Sequence, residues 1–97
     1  MFTEDEVKLI RLKYFKQKHI LSDICEIESR NGDHWIIMKR QRYVSKKQLK
    51  YTKAFSYVFE IYHRHANAEG FHYHSESESI LKAIFQIIDH DYFRLKS

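Results

Sequence analysis

Residues 44–66 read VSKKQLKYTKAFSYVFEIYHRHA, and the fold turns on whether this stretch is helical. Ser45 and Gln48 have capping-box spacing, and Val44 and Leu49 stand where a hydrophobic staple would close around them. A helix from about Lys46 to about Ala66 would stop before Gly70, a natural C-terminal breaker. At helical spacing, Tyr51, Ala54, Phe55, Val58, Phe59 and Tyr62 share one face. Lys46, Lys50, Lys53, Tyr57 and Arg64 line the opposite side, where Glu60 is the lone acid and makes a favourable i,i+4 pair with Arg64. The periodicity therefore predicts a helix with a basic outer stripe.

Upstream lies the clearest local signal: HILSDICEIES (19–29), RNGD (30–33), HWIIMKRQRY (34–43). Asn31-Gly32 is the preferred pair for a two-residue type I′ turn. Such a turn sets Ile27 opposite Ile36, Cys25 opposite Met38 and Asp23 opposite Arg40 on a buried face. Trp35, Ile37, Lys39 and Tyr43 then fall on the other, partly exposed face.

At the start of the chain, Thr3 and Glu6 form a second capping box with Phe2 and Val7 as its staple. That predicts a first helix to about Lys18, with Val7, Ile10 and Tyr14 inward. GFHYHS (70–75) reads as a short strand. A last helix starts at Ser75 or Ser77, buries Ile80, Leu81, Ile84, Phe85, Ile87 and Ile88, and frays after Asp89. The expected order is α-β-β-α-(β)-α. This is a small α+β domain spanning residues 1–97, with helices packed on one face of an antiparallel hairpin or three-stranded sheet.

Charge is unevenly distributed. Residues 39–53 carry seven cations and no acid, whereas the other 82 residues sum to −3. Lys46 and Lys47 would occupy a first helical turn, where positive charge is disfavoured by roughly 0.3–1 kcal/mol each. A local rule broken in this way points to function. Trp35, Tyr43 and Tyr57 lie among the cations, and aromatics beside cations suit a nucleic acid whose bases stack while its phosphates pair. The residues predicted to bind are Lys39, Arg40, Arg42, Lys46, Lys47, Lys50, Lys53, Tyr57, Trp35 and Tyr43. The expected function is a small basic, non-enzymatic nucleic-acid-binding protein. The alternative is an inhibitor or accessory subunit of the phage or mobile-element type. It would bind an acidic or nucleic-acid-binding protein through the charged face and the hairpin aromatics, or pair with a second copy. No zinc-finger spacing, helix-turn-helix or RNA-recognition motif is present, so no sequence specificity follows.

Seven histidines include two H-x-H triplets, His63-Arg64-His65 and His72-Tyr73-His74. On a helix His63 and His65 would point about 200° apart and share no ion, whereas on a strand His72 and His74 would point the same way. His72 and His74 are thus the metal candidates, with His65, Asp89 or His90 as an imaginable third ligand. Most histidines read as surface or loop residues, and no cofactor is expected. The His72–His74 triplet resembles the metal-binding motif of rolling-circle replication initiators and relaxases. That resemblance implies a four- or five-stranded sheet and a nucleophilic tyrosine on a later helix, with Tyr92 and Lys96 in that position. It rests on three residues. Only two glycines are present, so no Gly-rich phosphate loop exists. A small basic ribonuclease using His, Lys and Arg carries few sequence marks.

One cysteine, Cys25, excludes an internal disulfide and suits a reducing compartment. With no long apolar run and no leader-like start, a cytoplasmic location is expected.

Overall fold

The computed structural model describes residues 1–43 and 55–96. Its elements are α1 (Glu4–Ile10), β1 (Gln17–Leu21), β2 (Ile24–Glu28), β3 (His34–Tyr43), β4 (Phe55–Arg64), β5 (His72–Ser77) and α2 (Ile80–Lys96). The strands form one five-stranded antiparallel sheet in chain order. The predicted order is thereby corrected. The chain is a small α+β domain, but its sheet has five strands, and the described residues hold an N-terminal and a C-terminal helix.

The largest correction falls on the opening stretch. Residues 55–64, expected in the middle of a helix, are β4. FSYVFEIYHR is rich in aromatic and β-branched residues, which pack well on a pleated surface. Its alternate residues Phe59, Ile61 and His63 are buried at 2%, 0% and 1% exposure. Six of its ten residues are apolar or aromatic and fall at both strand parities, so they satisfy a helical face and an alternating face equally well. The ladder to β3 removes the tie by pairing ten residues, from His34↔Arg64 to Tyr43↔Phe55. The cap expected at Ser45 lies outside the described residues.

The turn at Asn31-Gly32 is where it was expected, but it is one residue longer. Ser29 N–H donates to Asp33 O, and Gly32 N–H donates to Ser29 O. Gly32 has φ +90°, so a three-residue loop closes through a left-handed glycine. The pairs are Ile27↔Trp35 and Cys25↔Ile37. A one-residue slip exchanges the two faces of a strand. β2 keeps its expected inner face, while β3 turns over, so that Trp35, Ile37 and Lys39 face inward. Asp23 does not pair with Arg40, whose guanidinium meets Glu60 instead.

α1 begins as predicted: Thr3 N–H donates to Glu6 Oε1 and Glu6 N–H to Thr3 Oγ1. It ends at Ile10 rather than near Lys18, and the stretch beyond supplies β1. The expected single strand over 19–29 is broken by a turn containing Ser22, whose φ is +35°. One core joins Phe2, Ile10 and Phe15 to Cys25, Ile27, Trp35, Ile37, Phe59 and Ile61, and then to Ile80, Ala83, Ile84 and Ile87 of α2. Leu81 and Phe85, expected inside, are 45% and 55% exposed. α2 begins at Ile80, later than Ser75 or Ser77, and runs past Asp89 to Lys96. Cys25 is fully buried, which pushes its thiol up to about 12 against a weaker opposing hydrogen bond at Ile37.

Buried Asp91 on α2 ties the helix to the β2–β3 turn. It accepts hydrogen bonds from Tyr14 Oη (2.5 Å), Arg30 N–H (3.2 Å) and Asn31 N–H (3.1 Å). The turn that carries Asp33 is thus anchored from the helical layer.

Candidate metal centre

The inner face of the sheet changes character along its length. Beyond Ile37 and Ile61 it is lined by Trp35 and histidines. Strand parity places His63 on the same face as Ile61, and His65, just past the end of β4, continues that side. His72 is the ladder partner of His63. A bulge in β5, where the pairing shifts between Ile61 and Tyr62, leaves His74 as an extra residue. Bulges re-aim side chains, and the His74 ring reaches 5.2 Å from Trp35. His90 arrives from α2, also 5.2 Å from Trp35 and 5.0 Å from His63.

At the centre is a buried pair. His63 stacks on Trp35 at 4.0 Å and 20°, and the indole N–H donates to Ser29 Oγ. His63 Nε2 lies 2.7 Å from Asp33 Oδ2, and His65 Nδ1 lies 3.7 Å from the same oxygen. Asp33 Oδ1 accepts from Ala66 N–H at 3.1 Å, which fixes the carboxylate from its other side. Asp33 and His63 are buried, whereas the His65 side chain is 47% exposed and forms the rim. Burial lowers the pKa of His63, against the pull of Asp33. Burial works against the Asp33 charge, but the bonds from His63 and Ala66 outweigh it and hold the carboxyl below its usual range. At neutral pH the pair is therefore a carboxylate and a neutral imidazole. His74 and His90 are also lowered, first of all by burial.

One donor atom each from Asp33, His63 and His65 lies within 4.8 Å of the others. A tetrahedral ion with bonds of about 2.0–2.1 Å holds its donors about 3.3 Å apart. The two distances at Asp33 Oδ2 fall on either side of that value, so an ion would open one contact and close the other by a few tenths of an ångström. Imidazole with carboxylate suits zinc, and equally iron(II), cobalt or nickel. The His63–His65 spacing rejected on a helix is favourable at the end of a strand. Asp33 gave no sequence signal beyond its place in a turn.

The predicted nucleic-acid residues that the structure describes are divided. Trp35 is fully buried beside the histidines. Lys39 is also buried: its ammonium donates to Glu6 Oε1 at 2.8 Å and to Met1 O at 3.1 Å, 4.5 Å from the centre of the Tyr57 ring. Arg40 and Arg42 are exposed but paired, with Glu60 and Glu76. Tyr57 is 47% exposed. Lys46, Lys47, Lys50 and Lys53 lie outside the described residues, as does the side chain of Tyr43. Trp35 and Tyr43 are eight steps apart along β3, or about 26 Å at strand rise. The Tyr43↔Phe55 pair thus lies at the end of the ladder opposite the histidines. Tyr92, the tyrosine of the replication-initiator resemblance, follows His90 by two helical residues and points about 200° away from it.

No family model, curated protein or solved structure matches this chain. Among the described residues, no helix is long and apolar enough to cross a membrane.

Proposed function

We propose that this protein is a transition-metal-binding domain whose ion sits on Asp33, His63 and His65. The observation that supports this reading is the convergence of three donor atoms within 4.8 Å, from a turn and the end of a strand. Two further features agree with it. The Ala66 N–H orients Asp33 from behind, as outer-shell partners of metal ligands do. The buried pair already has the charges that a metal requires, a carboxylate and a neutral imidazole, and binding through Nε2 moves the imidazole proton to Nδ1.

Untagged protein stripped with chelator is expected to bind one Zn²⁺ per chain at pH 7.5. At a free concentration about 100-fold above Kd the fold gains about 2.7 kcal/mol, read as a rise in melting temperature. His65→Ala removes an exposed ligand, should leave the fold intact, and should abolish most of that rise. An unchanged melting temperature with no retained zinc would reject the reading.

A second reading keeps nucleic-acid binding, and its basis is topological. Lys46, Lys47, Lys50 and Lys53 fall in chain order between β3 and β4, strands that carry the exposed Arg42 and Tyr57. With Lys39 buried and Arg40 and Arg42 paired, about four phosphate contacts remain. The expected slope of log K against log salt on duplex DNA is then about −3 to −4. A titration at two salt concentrations, repeated with Lys46→Glu/Lys50→Glu, tests this, and absence of binding at low salt removes it.

A further inference from the structure

We propose that His72 is the fourth ligand of the ion. The metal is then enclosed by protein donors and acts as a staple between the β2–β3 turn, β4 and β5, with no position left for substrate. This rests on the three-ligand reading above.

The argument starts from the ladder. His63 and His72 are paired across β4 and β5, at the end of their ladder. Cross-strand partners project to the same face, so the His72 imidazole emerges on the side that carries His63. His65, two residues beyond His63, extends over the same space. The ring centres are separated by 4.5 Å (His63–His65), 5.3 Å (His63–His72) and 6.1 Å (His65–His72). Imidazoles bound through nitrogen to one tetrahedral ion have centres about 5.2 Å apart, given bonds of about 2.0–2.1 Å. The three observed separations bracket that value.

His74 and His90 both pack edge-on against Trp35, and His74 Nδ1 lies 3.0 Å from Ser75 Oγ. His90 Nδ1 is buried without a hydrogen-bond partner among the described residues, but its ring adjoins His63 and His74, whereas the exposed His72 ring adjoins both His63 and His65. A shell of one carboxylate and three imidazoles has the ligand count of structural zinc sites, which leave no coordination position open, unlike catalytic ones.

The connection from β4 to β5 is also held without the ion. Arg64 Nη1 donates to Ala68 O at 2.8 Å, its guanidinium lies 5.4 Å from the Phe71 ring centre, and Ala68 N–H donates to His65 O. His72→Ala therefore leaves a folded protein on which the missing ligand can be measured.

Co²⁺ is the probe, because its visible absorption is intense in four-coordinate tetrahedral sites and weak when water raises the coordination number. Wild-type chain stripped of metal is expected to take up one Co²⁺ with the intense spectrum, displaceable by Zn²⁺. In His72→Ala a water takes the vacated position, so the bands should shift and affinity fall by about 100-fold, the upper range for disturbing a metal's supporting groups. His19→Ala, on β1, should match wild type. If His72→Ala binds Co²⁺ with unchanged affinity and spectrum, the closed shell is wrong and the three-ligand site stands. Folded wild-type protein that binds no Co²⁺ overturns both.

Discussion

Trp35→Ala is expected to cost about 3–5 kcal/mol, the range for truncating a buried aromatic. Small domains hold about 5–15 kcal/mol in total, so this one substitution would consume much of the margin. The indole is fully buried, stacks on His63 and donates to Ser29 Oγ. Its removal opens a cavity between the sheet and the histidines and leaves a hydroxyl in the β2–β3 turn without its donor. Trp35→Phe keeps a ring against His63 but loses the N–H bond, for an expected cost of about 1–2 kcal/mol. Urea denaturation followed by circular dichroism measures both. The two possible pairings of the β2–β3 hairpin make opposite predictions here. Had the turn been two residues long, Trp35 would face outward and its replacement would change stability by about 0.5 kcal/mol or less. A near-neutral Trp35→Ala would therefore overturn the observed pairing.

Metal-free protein is expected to lose stability as pH falls from 7.5 to 5.5. His63, His74 and His90 all have pKa values lowered in the fold, mainly by burial. The groups facing them work in both directions. Asp33 raises His63, while His65 and His90 lower it. His90 and His72 lower His74. Arg94 lowers His90, as does His65, against Asp33 and Asp91. Unfolded imidazoles titrate near 6.5. Below that pH the unfolded chain binds protons that the folded chain refuses, so the stabilisation is complete above about 6.5 and declines as pH falls toward the folded values. Each proton taken up on unfolding contributes a slope of about 1.4 kcal/mol per pH unit. Urea midpoints at three pH values, in the presence of chelator, give the slope. A flat profile from 7.5 to 5.5 would show that the histidines titrate in the fold as they do in water. The lowered carboxyl of Asp33 acts in a different window. Its contribution is present above its unfolded value and is lost only in stronger acid.

The N-terminal capping box was legible, because Thr3 and Glu6 act within one helical turn and need no distant partner. The turn at Asn31-Gly32 was legible in place but not in length. Asn-Gly serves a two-residue loop and a loop closed by a left-handed glycine alike, and the extra residue exchanges the faces of β3. β4 was misread because its apolar residues occupy both parities of a strand and most of a helix face. With β4 taken as a helix, His63 and His65 diverged and the cluster could not be seen. Asp33 and His90 reach it from a turn and from α2, and no local spacing announces either.

From the chain alone came the small α+β class, the capped first helix, the position of the β2–β3 turn, the apolar last helix and the concentration of cations over residues 39–53. These depend on composition or on residues a few positions apart. The five-stranded sheet, the inward side of β3, the burial of Lys39 and the meeting of Asp33 with His63 and His65 were decided by tertiary structure. Each depends on which segments pair across the sheet. The chain's local preferences at residues 55–64 were nearly balanced, and ten ladder pairs with β3 outweighed them.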